Sequence, residues 1–274
     1  MNAGQTTAAP LSPPPLGDLG PDLLRVGRAR LLLSLALPFL WCGAYFVLAA
    51  RGWWPAAVFA LVALSFVTYG SVSHDLVHRT LRLPRRVNDL LLCVIELLAL
   101  RSGHAYQAAH LHHHARYPHD DDIEATAARK SWLGAVAEGV IFQPRLYFWA
   151  LRHARRERAW MVGEGMACLL LAVCAAVSCI VTPVFLVYAV LMIMGSWVIP
   201  LVTSRIPHDP TAEGELFQTR VFRGVVASTV ALGHLYHLEH HLYPSVPHHN
   251  WARLAKRLDP FLTQAGVRPV KFWF

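Results

Sequence analysis

From Gly165 to Ser204 the chain runs for 40 residues without an Asp, Glu, His, Lys or Arg. A bilayer-spanning helix needs about 20 apolar residues, so this stretch is long enough to cross twice. Thr182-Pro183 breaks it, which predicts one helix over 166–181 and another over 184–203. Two further runs have spanning length, 31–50 and 55–73. Pro38 lies inside the first, where a membrane helix tolerates it, and Trp53 and Trp54 at the turn between them suit a membrane interface. The run Leu90–Leu100 is too short to span and contains Glu96, so it reads as an interfacial or re-entrant helix. Only 15% of residues are charged, against roughly a quarter in soluble domains.

Four spans return both ends of the chain to one side. Of the 25 Lys and Arg residues, 24 then lie on that side and Arg51 alone on the other. The positive-inside rule makes the basic side cytoplasmic, and this topology accounts for the net charge of +8. The basic residues form no arm or stripe for nucleic acid, so no nucleic-acid partner is expected. The expected class is an all-α membrane protein: four transmembrane helices under a cytoplasmic helical cap that carries a His-rich di-metal site. Residues 1–28, rich in Ala, Pro and Gly at their start, read as a disordered tail, 29–262 as the membrane domain and 263–274 as a C-terminal tail. Cys42, Cys93, Cys168, Cys174 and Cys179 all sit in apolar stretches with no CxxC pair. They read as small apolar residues, not thiolate ligands.

All sixteen histidines fall on the side read as cytoplasmic. "HDLVH" places His74 and His78 at i, i+4, on one helical face. "HLHHH" offers His110 with His113 and His114 at i+3 and i+4, and "HLEHH" repeats that spacing as His237, His240 and His241. His208 follows the fourth span in "SRIPHDP". Imidazole clusters bind Zn, Cu, Fe or Ni. A tetrahedral zinc takes only four ligands, so nine imidazoles suit two ions of four to five ligands each, with positions open for a small molecule such as oxygen. A zincin needs HExxH with a general-base Glu, and the corresponding residue here is Asp75. A bis-histidine haem would need histidines inside the bilayer, and the four spans as drawn have none. A metal transporter needs ionisable groups at membrane depth, which the same spans lack.

The order "HDLVH", "HLHHH", "HLEHHLYPSVP" resembles the integral-membrane fatty acid desaturase superfamily, which includes carotenoid hydroxylases and ketolases. The resemblance covers roughly residues 30–260. It implies a non-haem di-iron centre that activates O2 with two electrons and abstracts hydrogen from an unactivated C–H bond. Carried over residue by residue, the ligands would be His74, His78, His110, His113, His114, His237, His240 and His241. His208 matches the extra histidine after the fourth span. In the acyl-CoA branch an Asn stands four residues before that histidine; here the position is Ser204.

Nearby carboxylates can orient the ring N–H groups of metal-bound imidazoles. Asp75, Asp122, Asp209 and Glu239 are the adjacent candidates, with Ser204 beside them. His112, His119 and His234 lie outside the ligand pattern, and His104, His153, His248 and His249 are expected to meet water or lipid headgroups. With no room for a fused haem domain, electrons would come from a separate carrier, a ferredoxin or similar reductase. The substrate would be a membrane lipid: a fatty acyl chain, or alternatively a carotenoid such as β-carotene. Pro207-His208 and the compact length with "PRRVND" after the first box lean to the carotenoid branch, and the greater number of acyl desaturases leans the other way.

Overall fold

The computed structural model describes residues 12–224 and 234–271. It is helical almost throughout, and four stretches are long and apolar enough to cross a membrane: Pro21–Ala50, Trp54–His78, Arg155–Ser178 and Val184–Arg205. Within them lie α2 (Arg28–Ala50), α3 (Trp54–Val67), α4 (Ser73–His78), α8 (Arg158–Ser178) and α9 (Val184–Ser196). Their outward faces stay apolar and exposed at residues such as Leu33, Phe59, Leu169 and Ile193, as lipid contact requires. Inside, α2, α3 and α9 pack through Tyr45, Leu61, Leu64, Tyr188 and Met192. The Tyr45 hydroxyl donates to the Val184 carbonyl at 2.8 Å, which gives a buried polar group its partner.

The third span differs from the expected 166–181. It begins in the turn before Arg158 and its helix ends at Ser178, so Glu164 lies inside it. That carboxylate is buried, accepting from the Ser102 hydroxyl at 2.6 Å and from His104 Nδ1 at 2.6 Å. A charge run therefore did not mark the start of this helix, because its one acid is satisfied by neighbours on another element. The expected absence of ionisable groups from the spans is corrected accordingly, and further by His74, Asp75 and His78 at the end of the second span and Arg205 at the end of the fourth.

Between the second and third spans come α5 (Arg85–Leu98), α6 (Gly103–Arg116) and α7 (Trp132–His153). Helix α5 is amphipathic, with Leu92 and Ile95 buried and Leu90 and Val94 exposed. Its buried Glu96 holds Arg101 at 2.8 Å. Ser102 caps α6 by accepting from Ala105 N. Helix α7, without a counterpart in the sequence reading, exposes Trp132, Leu133, Val136 and Phe148 and buries Phe142 and Leu146, as an interfacial helix would. Gly139 lets α7 cross the fourth span closely: a Cβ there would lie 1.8 Å from the Trp197 carbonyl oxygen.

The cap is closed by α10 (His237–Leu242) and α11 (Trp251–Gln264). Against α11 dock a short helix, α1 (Leu16–Leu19), and the turn Pro21–Leu24, burying Leu19 and Leu23 with Leu254 and Leu258. Asp22 pairs with Arg253 and Arg257. Within the stretch expected as a disordered tail over 1–28, residues 16–24 are thus docked on α11; residues 1–11 lie outside the described residues. The C-terminal tail is anchored as well. Val267 is buried, and β2 (Val270–Lys271) pairs in parallel with β1 (Phe222–Arg223). Residues 272–274 are outside the description.

Candidate metal centre

Both spans that lead into the histidine site contain a turn of i→i+5 hydrogen bonding, Thr68–Val72 and Leu201–Arg205. Such a turn inserts one residue and re-aims the side chains beyond it, and it recurs at functional sites. Here one precedes His74 and the other His208. Helix α4 then stops at Arg79, whose φ of 57° is left-handed. Its last carbonyls are also held by other helices: Asn88 Nδ2 donates to Leu76 O at 2.8 Å and Gln107 Nε2 to Val77 O at 2.9 Å. These bonds fix the first box against α5 and α6.

The nine histidines named from the sequence converge into two groups. His74, His78, His110, His114 and His240 place one ring nitrogen each within 4.8 Å of one another, and so do His113, His208, His237 and His241. The i, i+4 pair of each helix serves one group and the i+3 histidine reaches across to the other. In α6, His110 and His114 join the five-residue group while His113 joins the four. In α10, His237 and His241 join the four while His240 joins the five. The two boxes therefore tie both groups together.

Seven Nε2···Nε2 separations lie between 2.7 and 3.3 Å, among them His74–His110 at 3.1 Å, His114–His240 at 2.7 Å and His208–His237 at 3.1 Å. Two imidazoles on one ion at bond lengths of about 2.0–2.1 Å stand roughly 2.9–3.4 Å apart for right-angled to tetrahedral arrangements. The spacing fits.

Tautomers strengthen the fit. His110 Nδ1 donates to the Glu124 carboxylate at 3.0 Å, His113 Nδ1 to Asp122 at 2.6 Å and His208 Nδ1 to the Ser204 carbonyl at 2.9 Å. Each bond leaves Nε2 as a lone pair aimed at other ring nitrogens, an arrangement a cation between them would stabilise. His78 Nε2 is buried with no hydrogen-bond partner.

Burial, then repulsion from neighbouring rings, holds His114, His237, His240 and His241 well below the ordinary histidine range. The same causes keep His208 low. They are neutral imidazoles, the ligand form. His113 differs: burial opposes its charged form, but the Asp122 hydrogen bond and charge outweigh burial and raise it.

Of the carboxylates and the serine expected to support the site, Asp122 alone places its side chain on a box histidine. It also accepts from Glu124 N and Ala125 N. Asp75 turns away from the rings and accepts from His248 N and Nδ1 at 2.9 and 2.7 Å. Asp209 binds Thr211 and Arg220 in a partly exposed loop. Glu239 lies off the helical face shared by His237, His240 and His241. It sits 2.6 Å from Arg223 Nη2, a charge contact without hydrogen-bond alignment. The Ser204 hydroxyl accepts from Ala128 N at 3.1 Å, so only its carbonyl orients His208.

Glu124 was not expected from the sequence. It is buried, bonds His110 and accepts from the Tyr69 hydroxyl at 3.3 Å. Its signal was the acid run "DDDIE", from which the sequence reading singled out Asp122 alone. His104 and His248 also depart from expectation. His104 is buried on Glu164 and stacked on Trp160, and His248 binds Asp75. His249 is half-buried, its Nε2 2.8 Å from Ser34 Oγ, whereas His153 is exposed beside Trp149.

A small cavity touches both groups, lined by His74, His110, His113, His237, Glu124 and Trp251 among others. It shares Tyr69, Val202, Thr203 and His234 with an apolar cleft between the second and fourth spans. Gly70 makes room for His234 at this junction: a Cβ there would lie 1.3 Å from His234 Cε1.

The family model for fatty acid desaturases matches residues 51–273, which takes in every box and all but the first span. The chain belongs to the fatty acid desaturase family. No curated protein matches it. Membership makes this membrane protein a desaturase- or hydroxylase-type oxidoreductase from a family that is typically di-iron, and its histidine groups are suited to hold metal.

Proposed function

We propose that the two histidine groups hold two iron ions and that the protein is an O2-dependent oxidoreductase acting on a lipid C–H bond, with a fatty acyl chain as substrate. The observation that carries this reading is the division of nine histidines into groups of five and four beside a cavity that shares a wall with an apolar cleft between the second and fourth spans. Bound iron would supply the two-electron activation of O2 that the family's chemistry needs. The chain's own part is to hold geometry and exclude water. Glu124, Asp122 and the Ser204 carbonyl fix three ring tautomers. Trp251 packs on His74 and His240, and Tyr69 and Val202 wall the approach from the bilayer.

Electrons would come from a separate carrier of the ferredoxin type. The distribution of Lys and Arg supports a cytoplasmic location for both termini and the metal centre. A reporter fused after Phe274 should then behave as cytoplasmic, and one inserted at Thr182-Pro183 as external.

A carotenoid ring is the second reading, favoured by Pro207-His208 and by the predominantly apolar lining of the cleft. Products separate the two. Expression in a host with ordinary phospholipids should raise unsaturated acyl chains. Polar carotenoids from a β-carotene host, with acyl composition unchanged, would overturn the acyl assignment. If neither lipid changed while cellular metal did, a transporter would replace the enzyme. Against that outcome stands Glu164, the buried acid of the third span, already engaged by Ser102 and His104.

A further inference from the structure

Beyond the cleft at His234 lies a larger cavity of about 380 Å³ between α6, α7, α8 and α9. The two share Arg101 and Ser196 as lining residues, so this cavity adjoins the cleft that in turn borders the metal centre. Phe148 and Ile193 line the larger cavity and are themselves exposed, which opens it towards lipid.

Its polar groups are few, and their state is informative. Arg101 is the one residue with a full charge among those lining either space. Its charge is already paired, Nε and Nη2 donating to the two Glu96 oxygens at 2.8 and 3.3 Å and Nη2 also to Thr68 at 3.3 Å. No uncompensated cation therefore faces the cavity. Gln143 is the opposite case. Its Nε2 is buried without a partner, and a buried amide in that state is costly until something binds it. In the adjoining cleft His234 Nε2 is likewise buried and unpartnered.

We infer that this cavity is the binding site for the polar end of the lipid substrate, and that this end is an uncharged oxygen group, a hydroxyl or carbonyl, seated on the Gln143 amide. Either orientation of the amide serves, since it can donate to a carbonyl or accept from a hydroxyl. A carboxylate or a phosphate-bearing carrier would enter with no free cation to meet it. The inference rests on the reading of the protein as a lipid oxidoreductase and narrows its substrate class. Two sources share the chemistry: an acyl chain in neutral ester linkage, and an oxygenated isoprenoid such as a hydroxylated carotenoid.

The test uses the iron-loaded protein in detergent and measures binding directly, so it reads independently of turnover. Radiolabelled 1-hexadecanol and hexadecanoate are compared at pH 9, since they share a chain and differ in the charge of its end. The alcohol should bind at least about tenfold tighter, because a buried carboxylate without a partner is strongly disfavoured. Gln143→Leu should weaken the alcohol about tenfold and leave hexadecanoate and iron content unchanged. Unlabelled dipalmitoylglycerol and a hydroxylated carotenoid then compete for the alcohol site, and whichever displaces it names the source. Equal or tighter binding of hexadecanoate, Gln143→Leu without effect on the alcohol, or failure of both neutral lipids to compete would overturn the inference. Failure of the enzyme reading would show elsewhere, as protein that binds no iron or turns over no lipid.

Discussion

Asp122 and Glu124 stand two residues apart on one loop, yet they serve different histidine groups. Asp122 holds His113 of the four-histidine group, and Glu124 holds His110 of the five-histidine group. Replacing either should therefore loosen one ion and spare the other. In Glu124→Gln the amide still fills the space but loses the charge-assisted bond to His110, worth about 1.5–3 kcal/mol, and weakens the hold on Tyr69. A loss of that size corresponds to roughly 10–100-fold in metal affinity, the range found when the partner of a ligating histidine is removed. Asp122→Asn should do the same at the other group, with a further cost to the loop, because Asp122 also accepts from Glu124 N and Ala125 N. Iron retained per chain would be followed during dialysis against increasing chelator. Each variant should release one ion early and keep the second at the wild-type chelator concentration. Parallel loss of both ions in Glu124→Gln, or a profile identical to wild type, would refute the assignment of these carboxylates to separate groups.

His237→Ala should abolish turnover while the protein still inserts, whereas His153→Ala, at an exposed ring, should keep most activity; an active His237→Ala would break the ligand assignment. Leu23→Ala, at a fully buried side chain, should destabilise the cap by about 2–5 kcal/mol, seen as a lower thermal midpoint and faster proteolysis of the first 24 residues. The metal-free protein should also weaken in acid. Histidine titrates near 6.5 in an unfolded chain, and the folded values of His114, His208, His237, His240 and His241 lie below that. The unfolded state then takes up more protons as the pH falls. Their contribution to stability is complete above about pH 6.5 and is lost below it, so the thermal midpoint should drop between pH 7.5 and 5.5; a midpoint that rises over this interval would contradict the burial of these rings.

The spans were legible because the bilayer imposes a length, and hydropathy reports it directly. Box spacing was legible because i, i+3 and i+4 share a helical face. That His110 and His114 part company from His113 was not, since it depends on how α6 and α10 face each other. The two i→i+5 turns before His74 and His208 leave no composition signal. Carboxylates were hardest. Asp75, Asp209 and Glu239 flank site histidines in sequence, but in α4 and α10 a helical neighbour points about 100° away, Asp209 lies in a loop, and each found a different partner. Glu124 reaches His110 because its loop folds back over α6. In the third span, Glu164 read as a boundary because a lone acid near an apolar run usually is one, and its partners on α6 lie some sixty residues away in sequence. The docking of Leu19 and Leu23 on α11 joins the two ends of the chain, a contact no local pattern announces.

The most direct test of the metal centre is elemental analysis of the purified, full-length protein. Two iron atoms per chain and little zinc is the expected result, with both lost when the histidines of either α6 or α10 are replaced, since each helix serves both groups. A single zinc per chain, or no tightly held metal, would contradict it.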